Sequence, residues 1–287
     1  MIKQRILITG GKGMLASSLY DIINDKYETL SLSKEKLDIT IANDVKKVIN
    51  EFKPNIIFHS AALTNVDMCE EKSKMAFNIN SDGTENIARY GSGVNAKVVY
   101  ISSCGLFGDE IKAYSEDDKV VLKTKYSESK YKGEKSVEKY CEKYYIIRPG
   151  WLFGGSKIHK KNFVYNRYLE GQKNNIIISA DDKYGCPTYV FDLAKKVLEL
   201  LETNKYGIYH ISNAGSASRY EYVKKIIESF NLNVKVKKCD SSFFKRSAPV
   251  PNCEIIENKN LRKNKFDLLP DWEDAIDRYI KKLKIKL

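Results

Sequence analysis

Two side chains that could move a proton lie four residues apart, because Tyr126 is followed by Ser-Glu-Ser and then Lys130. On a helix, positions i and i+4 share a face, so the Lys130 ammonium is expected near the Tyr126 hydroxyl. A nearby cation lowers the pKa of a phenol, which otherwise titrates near 10 and is a poor acid or base at neutral pH. The chain contains 19 tyrosines, so this spacing predicts proton transfer only where other segments agree.

A glycine-rich turn near the N-terminus provides the first supporting segment. The apolar run 5–9 predicts a strand, and Gly10, Gly13 and Ala16 follow it at the spacing Gly-x-x-Gly-x-x-Ala before a helical pattern begins. Such a turn lets the backbone approach a pyrophosphate, whose charge faces the free amides of the helix N-terminus. We therefore predict a dinucleotide site, with a purely structural turn as the alternative. Its predicted contacts are Gly10, Lys12, Gly13, Met14 and Leu15.

The end of the second predicted strand bears on the choice of cofactor. An acidic residue there would bind the ribose 2′-hydroxyl of NAD, but the chain has Ser33 followed by Lys34. A hydroxyl and an ammonium suit a 2′-phosphate, so we predict NADPH, with NADH as the alternative. Further on, Asp38 and Ile39 could approach the adenine; alternatively, Asp38 or Thr40 caps a helix.

Strands and amphipathic helices alternate through the first 150 residues, which predicts an α/β protein with a doubly wound parallel sheet of the Rossmann type. Ligands of such sheets lie beyond the carboxyl ends of the strands. Beyond about residue 151 the pattern is less regular, so we also predict a smaller, discontinuous substrate-binding lobe. The dinucleotide-binding domain would comprise residues 1–150 plus about 184–212, and the lobe about 151–183 plus 213–287.

Composition narrows the class of protein. No run of about 18 apolar residues and no secretory signal is present, so we expect a cytoplasmic protein without a membrane partner. The net charge of +12 comes from lysines interleaved with acidic residues, which does not favour nucleic acid as a partner. The six cysteines show no metal-binding spacing, so we predict free thiols and no metal site. The lysine-rich segment 281–287 is interpreted as a helix end followed by a frayed tail.

With these features in this order, the chain resembles the extended short-chain dehydrogenase/reductases, and in particular the dTDP-4-dehydrorhamnose reductase family. The resemblance covers essentially the whole length. The matching segments are Ala61-Ala62-Leu63-Thr64-Asn65-Val66-Asp67-Met68-Cys69-Glu70, Asn78-Ile79-Asn80, Ile101-Ser102-Ser103, Tyr126-x-x-x-Lys130 with Gly133-Glu134, Arg148 with Trp151, Asn162-Phe163-Val164, Asp181-x-x-x-Gly185-x-Pro187-Thr188, and Pro270-Asp271-Trp272.

The resemblance implies an NAD(P)H-dependent reductase of a nucleotide-diphosphate 4-keto-6-deoxysugar, and it also suggests a homodimer. Tyr126 would donate a proton to the carbonyl oxygen, Lys130 would lower the pKa of the phenol and bind the nicotinamide ribose, and Ser103 would polarise the carbonyl. Ala61 and Ala62 would join the cofactor contacts. The implied substrate contacts are Thr64, Val66, Cys104, Trp151, Asn162 and Arg246.

Three departures from the family pattern leave the sugar open. Cys104-Gly105 stands where the family has Asp-Tyr, Ser127 replaces a glycine, and residues 158–161 extend a loop. Arg148 could belong to the core or to the site, and Arg246 could belong to the site or to a Pro-rich surface loop. His59 is expected to be buried rather than catalytic.

Two alternative functions remain: a nucleotide-sugar epimerase or dehydratase that keeps NAD bound, and a non-catalytic regulatory subunit.

Overall fold

The computed structural model describes residues 3–284, and most of the secondary structure predicted for the first 150 residues is present. Within that range the strands are β1 (Arg5–Thr9), β2 (Glu28–Leu32), β3 (Ile56–His59), β4 (Lys97–Ile101), β5 (Tyr144–Pro149), β6 (Trp151–Phe153), β7 (Ile176–Ala180), β8 (Tyr184–Gly185), β9 (Pro187–Tyr189), β10 (Gly207–Ile211), β11 (Asn213–Ala214), β12 (Ala217–Ser218), β13 (Lys235–Cys239), β14 (Cys253–Glu254) and β15 (Leu269–Asp271). The α-helices are α1 (Met14–Ile23), α2 (Ala42–Phe52), α3 (Val66–Glu71), α4 (Ser73–Phe77), α5 (Gly83–Gly93), α6 (Lys125–Tyr140), α7 (Phe163–Gly171), α8 (Val190–Leu201), α9 (Arg219–Ser229), α10 (Lys259–Lys263) and α11 (Trp272–Lys284).

Six parallel strands form the central sheet, in the order β10-β5-β4-β3-β1-β2. Helices cover both faces, so the apolar residues of β1 are buried on either side: Ile6, Leu7 and Ile8 are at most 1% exposed. Because the connections leave β1 toward β2 on one side and β3 on the other, the carboxyl ends of β1 and β3 border the topological switch point. The predicted doubly wound fold is confirmed.

One predicted helix has a more complicated form. The pattern over 75–90 predicts a single helix, whereas α4 and α5 are joined by a π-helical turn, Asn78–Asp82. Single π turns are often found at functional sites because they redirect one or two side chains without ending the helix. Here Asn80 lies within the turn and is fully buried.

The second half of the chain adds to the central sheet and builds small sheets beside it. β10 pairs with β5 in parallel, and α8 packs on α1. The smaller sheets pair β6 with β9, β7 with β13, and β11 with β15, while β8 lies between β12 and β14. The predicted division into a dinucleotide-binding domain and a substrate lobe stays a prediction.

The remaining sequence-based expectations concern the cysteines and the two chain ends. All six cysteines are free thiols, as predicted. Among residues 3–284, no helix is long and apolar enough to span a membrane. The last turn of α11 carries Lys281, Lys282 and Lys284, in agreement with a basic helix end, while residues 285–287 lie outside the described part.

Candidate active site

The glycine turn lies at the switch point and is pressed against the chain that leaves β3. Gly10 has φ +71°, and a Cβ on it would be 2.8 Å from the backbone nitrogen of Ala61. Only glycine tolerates both the left-handed backbone and this close approach. α1 begins after Gly13, which provides no side-chain cap, and its first turn has no acidic residue. The free amides of this helix end therefore suit the negative charge of a pyrophosphate.

Residues around the end of β2 form the second part of this cleft. Lys12 on the glycine turn forms an exposed ion pair of 3.1 Å with Glu35. Ser33 is buried, and its hydrogen bond is the main cause that lowers the pKa of Glu35 to about 2. The predicted cofactor contacts Lys12 and Ser33 thus lie beside Glu35, an acidic residue two positions beyond the one expected from the sequence. Ser33, Lys12 and Lys34 form a polar and basic rim that also contains one carboxylate.

Asp38 and its neighbours hold the next loop together. The Asp38 Oδ1 accepts hydrogen bonds from the backbone nitrogen and the hydroxyl of Thr40, at 3.0 and 2.7 Å. The alternative in which Asp38 or Thr40 caps a helix is wrong, because the N-cap of α2 is Ile41. The Ile39 side chain is 4% exposed and packs in the core. Met14 is half-buried, whereas Leu15 is 5% exposed and also packs in the core, which leaves its backbone as the part that could meet a cofactor.

The helix that carries the proposed proton-transfer pair is fixed at its N-terminus. Thr124 and Ser127 form a reciprocal capping box, with the Ser127 backbone nitrogen donating to the Thr124 hydroxyl at 3.0 Å and the Thr124 nitrogen to the Ser127 hydroxyl at 3.1 Å. Glu70 of α3 accepts a further hydrogen bond from the backbone nitrogen of Lys125 at 3.0 Å. Ser127, a departure from the family pattern, therefore has a structural role in placing Tyr126 in the first turn of α6.

Ser103, Tyr126 and Lys130 lie together beyond the end of β4. Tyr126 and Lys130 share a face of α6, and Ser103 is close enough to the Tyr126 phenol to influence its pKa. The backbone nitrogen of Gly105 donates to the Ser103 Oγ at 3.0 Å, which leaves the serine proton free to be donated onward. Lys130 is 1% exposed, and its Nζ lies 4.1 Å from the centroid of the Tyr100 ring.

Burial controls the protonation of this pair. It lowers the pKa of Lys130 to about 7, and the opposing influence of Glu134 is smaller. It raises the pKa of the Tyr126 phenol well above its ordinary value, although the nearby Ser103 acts in the opposite direction. The sequence predicts a lowered phenol pKa, and the direction is the reverse because desolvation of the hydroxyl is the largest influence and outweighs that of Ser103. Tyr126 is therefore protonated at neutral pH, as a proton donor must be.

Asn80 connects the cofactor cleft to this pair, a role that the sequence pattern did not reveal. Its Oδ1 accepts from the backbone nitrogen of Leu63 at 2.8 Å, and its Nδ2 donates to the Leu63 carbonyl at 3.0 Å and to the Ser129 hydroxyl at 3.0 Å. The π turn aims this buried amide at both segments. Asn80 thereby fixes the Ala61-Ala62 segment beside α6, where both alanines are half-buried.

An aromatic and charged cluster forms the wall next to Ser103. The Trp151 indole nitrogen donates to the Glu254 Oε2 at 2.7 Å, and the Arg219 guanidinium stacks on the Trp151 ring at 3.4 Å. Cys104 is 4% exposed, and its Sγ lies 4.0 Å from the Glu254 Oε1. Burial raises the pKa of the Cys104 thiol, so it stays protonated and does not act as a nucleophile. Glu254 and Arg219 were not found from the sequence, because Glu254 ends one two-residue strand and Arg219 follows another, and neither strand has a recognisable motif.

The segment that follows Ala62 contacts two loops of the second half of the chain. The Lys161 ammonium is hydrogen-bonded to the Thr64 hydroxyl, and the Arg246 guanidinium pairs with Asp67 at 3.1 Å. Asp67 also accepts from the backbone nitrogen of Ala248 at 3.0 Å. Val66 begins α3 and is half-buried. The predicted substrate residues Thr64, Val66 and Arg246 thus lie on neighbouring segments.

Three other residues have structural roles. Asn162 is fully buried, caps α7 by accepting from the Tyr165 nitrogen at 3.2 Å, and donates to the Tyr279 hydroxyl at 2.5 Å, so it is not among the substrate contacts we propose. Arg148 belongs to the core, where it pairs with Glu134. His59 is buried as expected, and burial lowers its pKa to about 3. None of residues 3–284 forms a cluster that could hold a metal ion.

Comparison with known proteins identifies the family of this chain. Residues 4–285 match the family described as RmlD substrate binding domain. The dTDP-4-dehydrorhamnose reductase of Aggregatibacter actinomycetemcomitans is 32% identical over 78% of each chain. The spore coat polysaccharide biosynthesis protein SpsK of Bacillus subtilis is 29% identical over 96% of each chain.

Solved structures of other proteins are also similar to this chain. The crystal structure of dTDP-4-dehydrorhamnose reductase from Bacillus anthracis in complex with NADP has a TM-score of 0.94 and 36% identity, covering 98% of this chain and 100% of that one. A Thermus thermophilus UDP-glucose 4-epimerase in complex with NAD has a TM-score of 0.85 at 18% identity, with 99% and 100% coverage, which shows a shared fold alone. The chain belongs to the RmlD substrate binding domain family.

Proposed function

We propose that this protein is an NADPH-dependent reductase of a nucleotide-diphosphate 4-keto-6-deoxysugar, of the dTDP-4-dehydrorhamnose reductase type. The observation that carries the proposal is the meeting of Ser103, Tyr126 and Lys130 beside a glycine turn whose helix end is free to bind a pyrophosphate. The relatives named as dTDP-4-dehydrorhamnose reductases support the substrate class. The Bacillus anthracis reductase in complex with NADP supports the cofactor.

The cleft between the glycine turn and the end of β2 indicates which residues would contact the cofactor. The backbone of Gly10 to Leu15 would hold the pyrophosphate, and the rim of Lys12, Ser33 and Lys34 would hold the 2′-phosphate. Asp38 and Ile39 would lie toward the adenine, and Ala61 and Ala62 beside the dinucleotide. When bound, NADPH supplies a hydride to the carbonyl carbon of the sugar. This division assigns residues 1–150 plus about 184–212 to cofactor binding and about 151–183 plus 213–287 to the substrate.

The residues of the site supply and control the proton. As the carbonyl becomes an alkoxide, the Tyr126 hydroxyl transfers its proton to that oxygen, and the O–H bond of the phenol breaks as that of the alcohol forms. The Ser103 hydroxyl, whose oxygen is occupied by the Gly105 nitrogen, donates a hydrogen bond to the same oxygen. Lys130 in its ammonium form stabilises the phenolate that is left and would hold the nicotinamide ribose of the cofactor. A proton from solvent then restores Tyr126.

The substrate contacts lie on the other side of Ser103. We assign Thr64, Val66, Cys104, Trp151 and Arg246 to this surface, and Arg219, which the sequence did not predict, joins them. Trp151 is 9% exposed, and Arg219 stacks on one side of its ring at 3.4 Å. The two arginines provide the positive charge that a nucleotide diphosphate requires.

The test is oxidation of NADPH by purified protein with a panel of dTDP-, GDP- and UDP-linked 4-keto-6-deoxysugars. We expect turnover with at least one sugar, and Tyr126→Phe to lower kcat by about 10²- to 10⁴-fold with NADPH affinity unchanged. Tyr140→Phe is the matched control, because Tyr140 ends the same helix and its hydroxyl hydrogen-bonds Glu85 at 2.9 Å. Redox-neutral turnover with retained NAD would indicate an epimerase or dehydratase instead. Activity of a partner protein alone, unaffected by Tyr126→Phe, would indicate a regulatory subunit.

A further inference from the structure

Glu254 places a carboxylate in the proposed substrate site, although it is 128 residues beyond Tyr126 in the chain. It ends β14, which pairs with β8 in parallel so that Glu254 lies beside Gly185. A Cβ on Gly185 would lie 2.7 Å from the Trp151 indole nitrogen, so the same strand pair holds the indole against the carboxylate. The fold, rather than a local motif, delivers this group to the active site.

The two oxygens of Glu254 have different surroundings. Oε2 accepts the indole N–H of Trp151 at 2.7 Å, a charge-assisted hydrogen bond that fixes the orientation of the carboxylate. Among residues 3–284, the hydrogen-bond contact of Oε1 is the weak thiol of Cys104, at a sulfur–oxygen distance of 4.0 Å. Oε1 therefore keeps its capacity to accept a strong hydrogen bond from a ligand.

Gly105 fixes the distance between this oxygen and the reaction centre. A Cβ placed on Gly105 would lie 2.8 Å from the Glu254 Oε1 and 3.4 Å from the Ser103 Oγ. The two oxygens thus flank one small space that a larger residue at position 105 would fill. The long side chain of Glu254 therefore fits beside Ser103 because the residues at positions 104 and 105 are small.

We propose that Glu254 determines sugar specificity by accepting a hydrogen bond from the C3 hydroxyl of the 4-keto-6-deoxysugar. This inference rests on the proposed function. If Ser103 binds the C4 carbonyl oxygen, the neighbouring Oε1 meets a substituent of an adjacent ring carbon. C5 of a 6-deoxysugar carries a methyl group, so C3 is the adjacent carbon that offers a donor. A site that holds a hydroxyl in this way discriminates strongly against an analogue that lacks it, because its acceptor is left unpaired.

The test compares dTDP-4-dehydrorhamnose with its 3-deoxy analogue in NADPH oxidation. For Glu254→Gln we expect kcat/KM to fall by at least about 10-fold with the hydroxylated sugar and by less than about 3-fold with the 3-deoxy sugar, since a charged acceptor has been lost. Gly105→Ala should reproduce this pattern, because its new methyl group displaces the Glu254 Oε1. The matched control is Glu257→Gln, three residues away, where the carboxylate pairs with Arg262 at 2.8 Å.

The outcomes separate this inference from the proposed function. Unchanged affinity of Glu254→Gln for NADPH, measured by fluorescence titration, establishes that the variant is folded. Equal losses with both sugars, or no loss with either, would overturn the role of Glu254 while leaving the reductase intact. If the unmodified protein oxidises NADPH with no 4-keto sugar, the proposed function fails and the role of Glu254 fails with it.

Discussion

Replacing Arg148 by methionine should destabilise the protein by about 3–4 kcal/mol at pH 7, because it leaves a buried carboxylate without its partner. The Arg148 Nε and Nη2 donate to the two oxygens of Glu134 at 2.9 and 2.7 Å. The side chains are only 4% and 1% exposed, so water cannot take the place of the guanidinium. Since Glu134 is on α6 and Arg148 on β5, the pair also anchors the helix that carries Tyr126 and Lys130.

Protonation of the Glu134 carboxylate limits how far Arg148→Met can destabilise the protein. Removing one partner of a buried ion pair costs about 3–5 kcal/mol. A glutamic acid with an ordinary pKa of about 4.3 can instead take up a proton, at a cost of about 3.7 kcal/mol at pH 7 and about 1 kcal/mol at pH 5. In the variant, the unfolded chain has this carboxyl ionised above pH 4.3 while the folded chain holds it protonated. Folding then takes up a proton, so the destabilisation shrinks as the pH falls.

Urea unfolding followed by circular dichroism measures the loss in the free energy of unfolding at pH 5 and at pH 7, each relative to the unmodified protein. The double variant Glu134→Gln with Arg148→Met is the control: it has no carboxylate to leave unpaired, so its loss should be smaller and independent of pH over this range. A loss below about 1 kcal/mol at pH 7 in Arg148→Met, or the same loss at both pH values, would show that the Glu134 carboxylate does not depend on Arg148.

The remaining predictions concern the cofactor cleft and Lys130. Because burial brings the pKa of Lys130 to about 7, its ammonium is present below that value and lost above it, so kcat/KM for NADPH oxidation should decrease as the pH rises through about 7. Lys130→Arg should move that decrease to higher pH in the same assay, and an unchanged profile would contradict the assignment. Gly10→Ala should weaken NADPH binding in a fluorescence titration by at least about 10-fold, since the new Cβ would meet the Ala61 nitrogen at 2.8 Å and the backbone has φ +71°. Gly93→Ala, whose added Cβ has no neighbour within 4 Å, should bind NADPH normally, and equal binding by the two variants would show the turn to be structural only.

The structural features of the proposed cofactor cleft could be predicted from the sequence because they lie within short stretches of chain. The strand, the turn and the helix of residues 5–23 are contiguous, and φ +71° at Gly10 is the kind of backbone that a glycine in such a turn indicates. Tyr126 and Lys130 share a face because their spacing is helical. Each of these inferences needs only a short stretch of chain.

The substrate side could not be predicted in the same way. Glu254 reaches Trp151 only because β14 pairs with β8, a contact between short strands that carry no periodic signal. Asn80 depends on a π turn inside a helical pattern, and Asn162 is buried at the N-terminus of α7, where it meets Tyr279 of α11. The direction of the Tyr126 pKa was also missed, because desolvation is a property of the assembled site and cannot be read from spacing.

Transfer of deuterium from NADPH to the sugar directly tests whether this protein reduces a 4-keto sugar by hydride transfer. The protein is incubated with dTDP-4-dehydrorhamnose and NADPH carrying deuterium at the reactive C4 position, on one face and then on the other, and the sugar product is examined by mass spectrometry and NMR. We expect one deuterium at sugar C4 from one of the two cofactors, with formation of NADP⁺, and loss of this transfer in Tyr126→Phe. A product formed without deuterium at C4 from either cofactor, or equal transfer by Tyr126→Phe, would contradict this expectation.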